Sequence, residues 1–181
     1  MLKSIYLALK AKLVQPWWYD PDTPTEDLLR VDWYLGQDLE VGDEHVLNTP
    51  VCYIQFLPVP LTTLPSEVQH GLIRFNVILL TETVYGDERD MLHPLIGHQA
   101  LETAVYRALM NRRTVVDVNG RQVAIHESIV RRQLTPHGSI NNLVKSVQTF
   151  ECVGYDYSAY PEYVDILASL ELDAYLVDKI G

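Results

Sequence analysis

The sequence predicts an α+β fold: a mainly antiparallel sheet with two helices packed on one face, plus an extended acidic loop and a C-terminal tail. Three observations predict it. The chain opens with apolar residues at helical spacing. Long β-prone runs occupy 51–59, 72–85 and 143–157. Between them lies one further helical stretch, so strands and helices do not alternate as a doubly wound parallel sheet requires. The chain has 181 residues, 48% of them hydrophobic and 21% charged. Those shares are close to a soluble globular average and exclude wholesale disorder, collagen and coiled-coil arrays.

The elements follow in order. Leu2, Ile5, Tyr6, Leu9 and Leu13 stand at i, i+3, i+4, i+7 and i+11, one face of an amphipathic helix, which Pro16 ends. Pro16, Pro21 and Pro24, interleaved with Trp17, Trp18 and Tyr19, read as an extended aromatic loop. Residues 25–48 read as a loop with a short strand or turn of helix near Trp33, Tyr34 and Leu35. Val51–Val59 is apolar on both alternating sets, as a well-buried strand is. Pro58, Pro60 and Pro65 then predict an irregular loop as far as Gly71. Leu72–Tyr85 is the clearest strand, with Ile73, Phe75, Val77 and Leu79 on one face. It is long against the usual ~5–6 residues.

A charged turn, Gly86–Asp90, leads into a helix over Leu92–Met110, with Gly97, Ala100, Leu101, Ala104 and Ala108 as its small packing face. Arg107, Arg112 and Arg113 fall at its C-terminal end, where cations suit the helix dipole. Val116 and Val118 before Asn119-Gly120, with Val123 and Ile125 after, predict a hairpin. Pro136 and Gly138 predict a turn over Leu134–Ser139, and Leu143–Tyr157 reads as a strand. The segment after Pro161 alternates Val164, Ile166, Ala168, Leu170, Leu172, Ala174 and Leu176 as a strand does, while Tyr163, Ile166, Leu167, Leu170 and Ala174 also fit a helix; strand is the reading preferred. The organisation is therefore one domain over 1–157 and an extension over 158–181.

The formal net charge is −10 and unevenly spread. Residues 20–44 hold nine acids against Arg30, and residues 151–181 hold seven against Lys179, while 45–150 are nearly balanced. Tight nucleic-acid binding needs clustered Lys and Arg, so this pattern disfavours it. It suits a surface that repels DNA or meets a basic partner. No stretch approaches the ~18 apolar residues of a membrane span, and the lysines spread through the first helix argue against a signal peptide.

Chemistry-bearing motifs are absent: there is no GxSxG, HExxH, GxGxxG or P-loop pattern. His93 and His98, five apart, suit no zinc motif, and Asp87, Glu88 and Asp90 beside His93 read as an acidic helix start. His126 beside Glu127 has no nucleophile placed for it. Cys52 and Cys152 form no CxxC pair and sit in apolar runs, which predicts two buried free thiols. The expectation is a protein that is not an enzyme and binds no metal and no cofactor.

Where VCYIQF leads through a loop into RFNVILLTETVYGD and then into HQALETAVYRAL, the chain resembles the tail terminators, the tail-completion proteins of long-tailed bacteriophages. The likeness is one of element order over residues 1–157 and carries no signature residue. It implies a structural virion protein that forms a ring, typically a hexamer, stops growth of the tail tube and joins the tail to the head connector. The partners implied are further copies of the chain, the tail tube protein and the head–tail connector protein. DNA would pass through the ring without specific binding, and no membrane is involved. The location implied is the tail or neck of the virion, after synthesis in the host cytoplasm. Another neck protein, or a small enzyme or host binding module, is the alternative.

Two sets of surface residues follow as candidates. Leu72, Ile78, Leu80 and Val84 lie among polar residues on the second face of the long strand, expected to be the less buried one. With Trp17 and Trp18 they are the candidate subunit interface. The arginine pairs Arg112–Arg113 and Arg131–Arg132 are the candidate partner-contact charges.

Overall fold

The computed structural model describes residues 1–14, 30–37, 49–64, 68–82, 92–118, 121–140 and 143–156. Trp17, Trp18, Val84, the 86–90 turn and the extension over 158–181 lie outside the described residues.

Helix α1 spans Leu2–Leu13 and buries Ile5, Leu9 and Leu13, the stripe its periodicity predicts. Strands β1 (Arg30–Trp33), β2 (Val51–Phe56), β3 (Leu61–Thr63) and β4 (Gln69–Glu82) precede helix α2 (Leu92–Leu109). Strands β5 (Thr114–Val118), β6 (Arg121–His126), β7 (Val130–Ile140) and β8 (Leu143–Asp156) follow. The sheet order is β1-β2-β4-β8-β6-β5, with β3 added beside β4 and β7 beside β8. Among the described residues β1–β2 is parallel and the other pairings are antiparallel. The α+β architecture stands.

The spine is β4–β8, paired without a break from Gln69↔Asp156 to Glu82↔Leu143. Alternation sorts its side chains. Ile73, Phe75, Val77 and Leu79, with Cys52, Ile54, Phe150 and Cys152, face one way and form a single core with both helices. Burying one such side chain stabilises by roughly 1.5–3 kcal/mol, so this layer holds the fold. Aromatic rings run across it: Trp33 to Phe56 at 5.2 Å, Phe56 to Phe75 at 5.8 Å and Phe75 to Phe150 at 5.6 Å between centroids. Gly154 lets α1 settle here. A Cβ at that position would stand 2.9 Å from Ile5 Cδ1 and would collide with Ile73 Cδ1.

Several elements differ from the sequence reading. The Pro-rich segment before Gly71 contains β3: Leu61–Thr63 keep their N–H groups and pair with Gln69–Gly71, closed by Leu64 N–H to Val68 O at 2.8 Å. The turn expected over Leu134–Ser139 is instead part of β7. The ladder to β8 skips between Thr135 and Gly138, so Pro136 sits in a register shift and interrupts no bond there. The long strand begins three residues early, at Gln69.

Helix α2 presents a different face from the one expected. Among its described side chains His98, Glu102, Val105, Ala108 and Leu109 are buried; of the small face expected, Ala108 is buried and Leu101 packs against the core, while Gly97 and Ala100 are exposed. It ends where Asn111 takes φ 57° and its N–H bonds to Ile129 O at 2.9 Å. The hairpin β5–β6 forms with Val118 opposite Arg121, the two-residue spacing that Asn119-Gly120 predicts.

Candidate functional site

The helices cover one face of the sheet. On the other face, the side chains of β2, β4, β7 and β8 that alternate away from the helices divide into an apolar and a polar half. The apolar half is Val51, Tyr53, Ile78 and Leu80, with Tyr34 and Val147 packed against it. This corrects the expectation for two candidate interface residues: Ile78 and Leu80 are 3% and 1% exposed within the single chain. Tyr53 and Val147 flank Ile78 in register on either side, and Tyr34 reaches over from the end of β1. An alternating apolar set on a central strand gains more from such neighbours than from solvent. Leu72, farther along the same face, is 40% exposed and opposite Val153.

The polar half is cross-linked strand to strand. Asn76 Nδ2 donates to Gln55 Oε1 at 3.1 Å, and Thr149 Oγ1 donates to Asn76 Oδ1 at 2.9 Å. One row along, Glu151 on β8 accepts Arg74 Nε from β4 at 2.9 Å and Arg132 Nη2 from β7 at 2.8 Å. Register makes this possible: Arg74 lies opposite Glu151, and the shift between Arg131 and Gln133 turns Arg132 toward the same carboxylate. The hydrogen bond from Arg74, then that from Arg132, holds the Glu151 carboxyl below the usual carboxylate range. Both arginine side chains stay 58% exposed, so the row is a solvated two-cation, one-anion strip with one net positive charge.

The candidate charges therefore separate. Arg132 is in that strip. Arg131 points to the helix side, with its guanidinium 3.9 Å above the Tyr106 ring and Nη1 donating to Gln148 Oε1 at 3.1 Å. Arg131 is thus engaged inside the chain. Arg112 and Arg113 are exposed just beyond α2.

A second polar group lies under α2, and the sequence reading missed it. His98 Nδ1 is 2.8 Å from Thr81 Oγ1 and Nε2 is 2.8 Å from Ser146 Oγ. Glu102 Oε1 is 3.6 Å from the same ring, and Gln148 Nε2 donates to the Glu102 carbonyl at 2.9 Å. His98 and Ser146 are 0% and 1% exposed, so this serine–histidine pair is sealed from any substrate and pins helix to sheet. The available signal was the i, i+4 spacing of His98 and Glu102 with Val105 and Leu109, a helix face that looks polar until its partners Thr81 and Ser146 are known.

His126 is also fully buried. Nδ1 meets the Glu127 carbonyl at 2.9 Å, and a carbonyl only accepts, so Nδ1 carries the proton. Burial, then the nearby Lys12 charge, lowers its pKa. Among the described residues no partner reaches Nε2. Burial pushes both thiols up, Cys152 to about 12, and both cysteines are free. Among the described residues no three His, Cys, Asp or Glu side chains cluster as metal ligands, and no helix is long and apolar enough to cross a membrane.

No family model and no curated protein matches the chain.

Proposed function

We propose that this chain is a structural assembly protein of a bacteriophage particle, of the tail-terminator kind. It would form a homo-oligomeric ring, a hexamer by the family resemblance, that caps the tail tube and meets the head–tail connector protein. DNA would pass through it without specific binding. The observation that supports this best is the fourteen-residue β4–β8 spine with both helices on one side. It leaves Leu72, Arg74 and Arg132 exposed at one end of the opposite face, around the buried Glu151 carboxylate. Such a strip is a surface for a neighbouring subunit or a stacked ring, and closing a ring covers it in every copy.

The test is mass photometry and negative-stain microscopy of the full chain, alone and coexpressed with the tail tube protein encoded in the same genome. The expected result is a ring whose mass is a multiple of 20.7 kDa, seated at the end of tubes of uniform length. A monomer under both conditions, with tube length unchanged by its presence, overturns the reading.

A further inference from the structure

Among the described residues, three buried side-chain atoms have no hydrogen-bond partner: His70 Nδ1, Thr114 Oγ1 and His126 Nε2. Two of them belong to one place. Thr114 is the register partner of His126 across β5 and β6, and such a pair shares a face of the sheet. The ladder is irregular at this point. Thr114 pairs with His126 and Val115 with Ala124, so Ile125 is an extra residue on β6. A bulge of this kind re-aims side chains: Ile125 and His126 are consecutive, yet both are buried. His126 lies opposite Gly154, the residue against which Ile5 of α1 settles, so the pair faces the helix side.

The chemistry of the two atoms is set by their surroundings. The Glu127 carbonyl takes the proton on Nδ1, so Nε2 carries a lone pair and can only accept. The Thr114 hydroxyl can donate or accept. Buried polar atoms in folded proteins are nearly always satisfied. Two such atoms on neighbouring residues are satisfied together by one molecule that donates to the first and bonds the second.

We infer that His126 Nε2 and Thr114 Oγ1 hold one internal water molecule, which donates to the imidazole and accepts from the hydroxyl. Water is the ligand this donor set selects. It both donates and accepts, and a buried water uses about two to four polar partners. A neutral Nε2 offers an anion no proton. A metal ion would find one nitrogen and one hydroxyl, and among the described residues no three His, Cys, Asp or Glu side chains gather as ligands. The water links β5 to β6 at the bulge, where the extra residue interrupts the ladder. The inference is independent of the ring reading.

The experiment is a crystal structure of the full chain at a resolution that shows internal waters, with Thr114→Ser and Thr114→Val solved beside it. Valine keeps the shape of threonine and removes the hydroxyl. The expected density is one water within about 2.7–3.2 Å of both atoms. It should persist in Thr114→Ser and be weakened or lost in Thr114→Val. A side-chain donor at Nε2, a direct bond between Thr114 and His126, an ion about 2.0–2.1 Å from Nε2, or no density between the two residues overturns the inference. So does a water equally occupied in Thr114→Val. A double-mutant cycle of Thr114→Val and His126→Phe in urea checks the same link in solution. Residues that share a water are coupled, so the midpoint of the double variant should fall by less than the two single shifts added together. Additive shifts overturn the shared site.

Discussion

His98 Nε2 and the Ser146 hydroxyl stand 2.8 Å apart with both side chains buried between α2 and β8, and Thr81 holds the other ring nitrogen at the same distance. The ring is therefore satisfied at both ends. Removing one partner leaves a buried polar atom that water cannot reach, at a cost of about 1–3 kcal/mol. Ser146→Ala and Thr81→Val are each expected to destabilise by that amount in urea unfolding. His98→Phe combined with Ser146→Ala should cost less than the two single changes added together. Additive losses in that double-mutant cycle would show that the contact carries no coupling.

The thiols are expected to be inert in the folded protein. Cys52 and Cys152 are buried, and Cys152 is raised to about 12 by burial first and then by the Glu151 and Glu127 charges. A thiol is reactive as thiolate, so native labelling with a thiol reagent at pH 8 should proceed only as fast as unfolding. Labelling at the rate of a free thiol contradicts this packing. The paired Cys→Ala variant should still fold.

Glu151 should make the outer face sensitive to acid. Its folded-state pKa is depressed by Arg74 and then Arg132. The stabilisation is therefore complete above the unfolded carboxyl value of about 4.3 and is lost as pH falls through the lower folded value. Because both arginines are largely solvated, Glu151→Gln should cost only about 1 kcal/mol at pH 7. The difference from wild type should shrink toward pH 2 in thermal melts, and a gap that stays constant across that range would contradict the assignment.

His126 acts in a higher pH window. Its pKa is lowered by burial, partly offset by the hydrogen bond to the Glu127 carbonyl, with a lesser further lowering from Lys12. A histidine kept neutral in the fold favours the native state above its ordinary pKa of about 6.5, and that advantage is lost as pH falls toward the folded value. Wild-type Tm should fall between pH 7 and 5 more steeply than that of His126→Asn, whose amide can still donate to the Glu127 carbonyl. Parallel curves would rule out the histidine as the cause.

Local pattern was enough for much of the fold. The Ile5–Leu9–Leu13 stripe, the apolar strand face from Ile73 to Leu79, the two-residue hairpin spacing and the buried cysteines are all legible, because each depends on residues near one another in the chain. What covers a residue is settled at long range. Ile78 and Leu80 looked open until Val51, Tyr53 and Val147 arrived from β2 and β8, and Pro136 looked like a turn until a register shift in β7 absorbed it. The α2 face was misjudged because His98 and Glu102 are polar, and only Thr81, Ser146 and Gln148 make that face fit to bury. By itself the sequence determined α1, the core face of β4, the β5–β6 hairpin and the uneven charge. Tertiary structure alone decided which faces are closed and which arginines are engaged, since strand register and helix docking join residues far apart in sequence.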